Sequence, residues 1–283
     1  MRIAYLPLIK KAVKEDLGKN GDITSDSIVP VQKKGRAVLK SKSSGIISGL
    51  EVFEDTFFFL DRDLKIETFF RDGDRLIRGD IVAIIKGNLN SILKAERTAL
   101  NFIQRMSGIS TLTSEFVKAV EGTGTTILDT RKTLPGFRTL DKYAVAKGGG
   151  KNHRTGLFDM FLIKDNHISS AGSIKEAVKM VLEYKKQKKL RSLIEVEVKT
   201  VSEFKEALDL ELDRIMLDNM DIDQIRECIS LNKGSKELEI SGNVNIDSVS
   251  ALAGTGVDYI SIGSLTHSVK AFDLSLLVEQ ERS

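Results

Sequence analysis

The stretch LIEVEVKTVSEFKEALDLELDRIMLDNM (193–220) sets the fold class of this 283-residue chain. A short apolar run, LIEVEV, ends in charge, a helical stretch follows, and a second apolar run, RIML, ends in Asp218-Asn219. Strand, loop and helix at this spacing make a βα unit, and a series of such units makes a parallel sheet. The rhythm extends in both directions through TTILDTRK (125–132), DMFLIKDNH (159–167), LEISGN (238–243) and YISIGS (259–264). Counted from Ile127, Phe161, Ile194, Ile215, Leu238 and Tyr259, the intervals are 34, 33, 21, 23 and 21 residues. Six units without a Rossmann glycine fingerprint favour a closed barrel over an open doubly wound sheet.

Upstream, the first hundred residues read as α+β. Helical spacing runs from Tyr5 to Leu17 and stops at Gly18; extended stretches are expected at 37–39, 46–48, 66–70 and 81–85, with a helix over 50–60. DGDRLIRGDIVAIIKG (72–87) is similar to the hairpin of lipoyl and biotinyl carrier domains, but no lysine stands in the modifiable turn, so a structural hairpin is expected. A long helix should run from Asn90 to about Glu121, interrupted near Gly108. Ala95, Ala99, Phe102, Ile103 and Met106 share one face of it, and Arg97 falls on another, where its plain reading is a surface charge.

Composition narrows the function classes. With 41% hydrophobic and 29% charged residues the chain has an ordinary globular mixture, and it holds no apolar run of the ~18–20 residues that span a bilayer. A net charge of +3, from 43 Lys+Arg and 40 Asp+Glu, is not that of a nucleic-acid polycation, so neither nucleic acid nor membrane is expected as a partner. The N-terminus has no uninterrupted apolar segment of the signal-peptide kind. The single cysteine, Cys228, allows no internal disulfide and no multi-cysteine zinc site; it sits at helical spacing as a core filler, and cytoplasmic localisation is expected.

Active sites of βα barrels lie at the C-terminal ends of the strands. Here those ends read Asp129-Thr130-Arg131-Lys132, Lys164-Asp165-Asn166-His167, Glu195/Glu197, Asp218-Asn219, Ser241-Gly242-Asn243 and Gly263-Ser264. Residues 131–167 hold eight Lys/Arg against three Asp, with His153 and His167 among them: a solvated face or an anion pocket. In LIEVEV, alternation puts Glu195 and Glu197 on one face. Either the strand is a half-exposed edge, or one or both carboxylates face the barrel mouth, where they could bind Mg²⁺ or a substrate hydroxyl within reach of Asp218. Gly and Ser at the last two strand ends, each just before a helix, point to phosphate on bare backbone N–H groups. KGGGKNHR (147–154) reads as a helix cap and flexible loop. P-loop, kinase, nucleophile-elbow and HExxH motifs are absent.

EDLGKNGDITS (15–25), ERTALNFIQRMSGIST (96–111), the block from Leu128 to His167, EVEV (195–198), IMLDNM (215–220) and GVDYISIGSLTHS (256–268) together resemble the quinolinate phosphoribosyltransferase family over nearly the whole chain. The resemblance implies an α/β fold, with an N-terminal α/β sandwich domain (1–110, the segment 269–283 packing back on it) joined to an irregular α/β barrel of the type II phosphoribosyltransferase kind (111–268). It implies conversion of quinolinate and phosphoribosyl pyrophosphate into nicotinate mononucleotide, pyrophosphate and CO₂ with Mg²⁺. It also implies a homodimer with a shared active site, leaving a dimer and a hexamer (a trimer of dimers) both open.

By the same resemblance, Arg131, Arg154 and Lys164 hold the two quinolinate carboxylates with His153 beside them, and Arg97 reaches the pocket of the neighbouring subunit. Lys132, Glu197 and Asp218 belong around the phosphoribosyl pyrophosphate, Glu197 and Asp218 with the metal, and Thr130 and Ile262 are expected to bind substrate. Ser241, Gly242, Asn243, Gly263 and Ser264 form the phosphate turns, with His267 just beyond. Lys164, Glu197 and Asp218 carry the catalytic roles, and Lys164 or water returns the proton after decarboxylation. Asn243 stands where the family more often has a second glycine; asparagine tolerates the positive φ such a turn needs. Two other readings stand beside this one: a related barrel acting on a different aromatic acid, against which the four cations Arg97, Arg131, Arg154 and Lys164 speak, and a non-catalytic carrier or ligand-binding protein.

Overall fold

The computed structural model of the chain describes residues 2–279, with side chains from residue 5 onward. In chain order the elements are α1 (Arg2–Leu17), α2 (Ile23–Ile28), β1 (Lys34–Ser41), β2 (Gly45–Ile46), α3 (Leu50–Leu60), β3 (Lys65–Thr68), β4 (Arg75–Leu76), β5 (Ile81–Asn88) and α4 (Leu89–Ala119). Then come β6 (Thr126–Leu128), α5 (Arg138–Lys147), β7 (Phe161–Ile163), α6 (Asp165–Ala171), α7 (Ile174–Lys188), β8 (Ile194–Val198), α8 (Val201–Leu208), β9 (Arg214–Asp218) and α9 (Ile222–Asn232). The last are β10 (Glu237–Ser241), α10 (Ile246–Ala253), β11 (Tyr259–Ser261), α11 (Ser264–His267) and β12 (Leu274–Glu279).

Two compact units emerge. The first takes the chain through Ser114, then Thr133–Gly149 and the chain from Leu265 onward; the second takes Glu115–Lys132 and Gly150–Ser264. This differs from a division into contiguous blocks at 110, because 133–149, with α5, belongs to the first unit. Of the segment 269–283, β12 pairs with β1, and residues 280–283 lie outside the described part.

The first unit is built on an antiparallel sheet ordered β12-β1-β5-β3. Leu39, Val82 and Ile85 of this sheet meet Phe53 and Phe57 of α3 and Ile92, Ala95, Ala99 and Ile103 of α4 in one buried cluster. Small residues at 95 and 99 let helix α4 lie close to its neighbours. Helix α4 runs unbroken through Gly108, contrary to the interruption expected there. The glycine serves close approach instead: a Cβ at 108 would lie 2.2 Å from the carbonyl oxygen of Lys270. Nor is 72–87 a hairpin. β4 pairs with β2 and β5 with β1 and β3, because Gly79 and Asp80 separate two strands that take different partners.

The second unit carries six parallel strands ordered β6-β11-β10-β9-β8-β7. Their registers join Thr126 to Tyr259, Glu239 to Met216 and Glu197 to Met216. Lys151 makes one further parallel bridge to Leu128, so 150–154 runs beside β6 as an irregular stave. All five residues of β8 are buried, which removes the half-exposed edge reading of LIEVEV. Polar side chains start the helices between strands: Ser173, Thr200, Asp221 and Asn245 each accept from backbone N–H groups of the first turn of α7, α8, α9 and α10. Cys228 is buried on α9 and burial pushes its thiol up to about 11, the inert filler its spacing indicates. No helix among the described residues is long and apolar enough to cross a membrane.

Candidate active site

A cavity of about 610 Å³ opens in the second unit at the C-terminal ends of the strands. Every strand of the sheet contributes. Thr130, Arg131 and Lys132 follow β6, His153 and Arg154 come from the adjoining stave, and Leu162 and Lys164 come from β7 and its end. Glu197 comes from β8, Met216, Asp218 and Asn219 from β9 and its end, Ser241, Gly242 and Asn243 from β10 and its end, and Ser261 from β11. Four cations thus face two carboxylates around one volume. That surplus suits a ligand with several negative charges.

The cations are not equivalent. Arg154 donates from Nη1 to the Met160 carbonyl at 3.2 Å, which directs its guanidinium. Burial, and then the charge of Arg131, lower its pKa, with Glu195 opposing. Two guanidiniums that repel each other in a half-buried site are relieved by a bound anion. Lys164 pairs with Glu197, which is 9% exposed, so each orients the other. Lys132 is held in a tight turn, its amide donating to Thr130 Oγ1 at 3.0 Å.

Opposite them lies a turn of unusual backbone. Asn219, Gly242 and Asn243 have φ of 55°, 99° and 51°. The Asn219 amide donates to Ser241 O at 2.9 Å, and Asn243 Nδ2 donates to Asn219 Oδ1 at 3.0 Å. A Cβ on Gly242 would come 2.2 Å from Asn219 Oδ1, so only glycine fits there. Asn243, where the resemblance implies a second glycine, adopts the left-handed conformation and clamps the turn through its amide.

Below the cavity, His153 Nε2 lies 3.1 Å from Glu195 and 3.4 Å from Glu239, both wholly buried. Arg214 reaches the same Glu239 at 3.1 Å and Glu237 at 2.9 Å, and its guanidinium lies 3.9 Å from the Tyr259 ring centre. Groups from β8 and β10, with β9 between them in the sheet, converge on a residue beside β6. That convergence requires the sheet to curl around an interior, as a barrel does. Burial, then the charge of Glu239, push the Glu195 carboxyl up. Burial also opposes ionisation of Glu239, but His153, Ser261 and Arg214 hold its pKa below the usual value.

Of the residues expected at the site, Thr130, Arg131, Lys132, His153, Arg154, Lys164, Glu197, Asp218, Ser241, Gly242 and Asn243 line this cavity. Glu195 does not: only Glu197 faces the mouth, and Glu195 points into the interior one layer below, since side chains two apart on a strand share a face but not a level. Ile262, Gly263 and Ser264 follow β11 without lining the cavity, where Ser261 stands instead. Arg97, exposed on α4, and His267, exposed on α11, fall in the first unit.

The family model for the N-terminal domain of quinolinate phosphoribosyl transferase matches residues 22–107, and that for its C-terminal domain matches residues 109–277. The chain belongs to the quinolinate phosphoribosyl transferase family. It is 45% identical over 289 aligned residues to mitochondrial quinolinate phosphoribosyltransferase [decarboxylating] 2b of Nicotiana tabacum, covering 97% of this chain and 82% of the relative. It is 43% identical to the probable nicotinate-nucleotide pyrophosphorylase [carboxylating] of Bacillus subtilis, covering 93% and 89%. The solved nicotinate-nucleotide pyrophosphorylase of Francisella tularensis superposes with a TM-score of 0.93 at 40% identity, covering 99% of this chain and 97% of that one. The α/β architecture of the quinolinate phosphoribosyl transferases, sandwich domain plus irregular barrel, is therefore that of this chain.

Asn219, named among the strand ends, lines the cavity too; residues of this family member missed by sequence reasoning are Leu162, Met216 and Ser261 at the cavity and Arg214 and Glu239 beneath it. A signal existed for the last two. Each is a charge within a short apolar run, RIML and LEI, in a strand covered on both sides, the same signal that drew attention to Glu195.

Proposed function

We propose that this chain is a decarboxylating quinolinate phosphoribosyltransferase of NAD biosynthesis, joining quinolinate and phosphoribosyl pyrophosphate to give nicotinate mononucleotide, pyrophosphate and CO₂. The observation that carries the reading is the placing of Arg131, Lys132, Arg154 and Lys164 around one cavity with Glu197 and Asp218. A pyridine dicarboxylate and a pyrophosphate ester repel each other unless cations neutralise both. Arg131 and Arg154 present planar forks suited to carboxylates, with Lys164 as a point charge beside them. The turn at 241–243, stripped of bulk by Gly242, and the ammonium of Lys132 take phosphate oxygens.

Held in this way, the pyridine nitrogen attacks the ribose C1, the C1–O bond breaks, and pyrophosphate leaves through an oxocarbenium-like state. Glu197 and Asp218 are hard oxygen donors on adjacent strands facing the cavity, a donor set that fits Mg²⁺, and they would hold it. Bound there, the ion would supply charge neutralisation for the leaving pyrophosphate. Alkylated at nitrogen, the ring accepts the electron pair of the C2–carboxylate bond as CO₂ departs, and Lys164 lies in the cavity to return a proton to C2.

Arg97 completes the site from a second copy of the chain in a homodimer; its exposure on α4 supports this role. Mixing Arg97→Ala protein with Lys164→Ala protein should restore part of the activity in hybrid dimers, whereas no recovery despite proven subunit exchange would remove Arg97 from the site. The single buried cysteine supports the cytoplasm as its compartment.

A product assay tests the function itself. With purified protein, Mg²⁺, phosphoribosyl pyrophosphate and quinolinate labelled at the 2-carboxylate, labelled CO₂ and nicotinate mononucleotide should appear in equal amounts and vanish with EDTA. Neither product from a folded protein would overturn the reading, and turnover of nicotinate in place of quinolinate would favour the related barrel with a different acid.

A further inference from the structure

The four ionisable groups under the cavity are expensive to bury. Taking each of His153, Glu195, Arg214 and Glu239 out of water costs several kcal/mol, and well-packed apolar residues of similar volume commonly serve stability as well or better. Of the four, His153 lines the cavity, and Glu239 also reaches it through Ser261.

That ring is held on both nitrogens. Nδ1 accepts the backbone N–H of Arg154 at 2.7 Å, which places the single proton of the neutral ring on Nε2, facing Glu195 and Glu239; burial lowers the ring's pKa, but the two carboxylates outweigh it and raise it to about 9. The His153 amide donates to Asp129 Oδ1 at 2.9 Å, fixing the backbone on the other side. The Nδ1 contact ties the ring to the peptide from which the Arg154 side chain departs into the cavity. Arg214, bonded to Glu239 and Glu237 and lying over Tyr259, balances the interior charge.

We propose that Glu195 and Glu239 are positioning residues: they hold His153 as the Nε2–H tautomer and, through its Nδ1 contact with the Arg154 amide, set how Arg154 meets a substrate carboxylate. The inference rests on the reading of the cavity as a quinolinate site and deepens it. Neither glutamate touches substrate. Their influence falls on the carboxylate-binding cations and not on the turn at 241–243, so the two substrates should respond differently to their loss.

The test uses the whole protein labelled with ¹⁵N-histidine, in which only three imidazoles contribute. Above the pKa of about 9 to which Glu195 and Glu239 raise the ring, His153, assigned by its loss in His153→Gln, should show a neutral ring protonated at Nε2 with a bare Nδ1. In Glu195→Gln and Glu239→Gln, where the side-chain amide can itself donate to the ring, the tautomer should shift or become mixed. KM for quinolinate should rise roughly 10- to 100-fold, with KM for phosphoribosyl pyrophosphate within about twofold of the parent. Glu195→Asp, which keeps the acceptor, should recover part of both signals.

A wild-type neutral ring, above that pKa, protonated at Nδ1 would overturn the proposal. So would an unchanged KM for quinolinate in a folded Glu195→Gln or Glu239→Gln protein, or an equal rise in KM for both substrates, which is the mark of general loosening. The ring spectrum needs no turnover and decides the tautomer by itself; an inactive wild-type protein would overturn the reading of the cavity instead.

Discussion

Arg131→Ala is expected to lower kcat/KM for quinolinate by roughly 30- to 5000-fold, the equivalent of about 2–5 kcal/mol of transition-state binding. The size follows from where Arg131 stands. It follows a strand end, lines the cavity, and is close enough to Arg154 for its charge to depress that group's pKa. In the proposed complex it faces a carboxylate withdrawn from water. Truncation leaves that carboxylate unpaired, and the loss is the desolvation that nothing else repays. Arg131→Lys, which restores the charge and not the fork, should fall between the variant and the parent. Steady-state kinetics at saturating phosphoribosyl pyrophosphate give the answer; a near-parental kcat/KM in Arg131→Ala would remove this residue from carboxylate binding.

The largest stability effect is expected from Arg105→Ala. Arg105, on α4, donates from Nε and Nη2 to the two oxygens of Asp141 at 2.9 and 2.8 Å, and from Nη2 to the Thr266 carbonyl at 3.0 Å. Asp141 is wholly buried, and burial raises its pKa even with Arg105 in place. Without the guanidinium the aspartate becomes an uncompensated interior charge, a loss of about 3–5 kcal/mol. For a chain of this size that is a fall in Tm of roughly 6–20 °C. The penalty has a definite pH dependence. In the variant the folded-state pKa of Asp141 stands further above its unfolded value, so the destabilisation is complete above the folded pKa and shrinks as pH falls through it. Melting curves at several pH values check both statements; a Tm within two degrees of the parent at neutral pH would show that Asp141 finds another partner.

The barrel was legible because its strands obey a strong rule: covered on both sides, they read as apolar runs, and their ends carry charge. Hence ten of the strand-end residues named from the chain alone meet in one cavity, joined by His153 and Arg154, whose roles the resemblance supplied. What escaped was of two kinds. The break expected at Gly108 and the hairpin expected at 72–87 were local readings overruled by long-range packing, the first by the Lys270 backbone and the second by strand partners far along the chain. The depth of Glu195 escaped for another reason. Alternation tells which face a side chain takes but not how far below the rim it lies, and a buried carboxylate reads like a catalytic one until its partners, here His153 and Arg214, are seen.

The pairing of β12 with β1 has a consequence for how the protein is made. The strand that flanks β1 on one side is spelled by residues 274–279, so the first unit to be synthesised is the last that can be finished. Until residues 274–279 have been made and can pair, β1 carries a bare row of amides and carbonyls along that side, a template for wrong partners. The second unit, contained between 115 and 264, has no such wait. Loss of residues 274–279 therefore strikes a sheet whose other strands are spelled by residues 34–88.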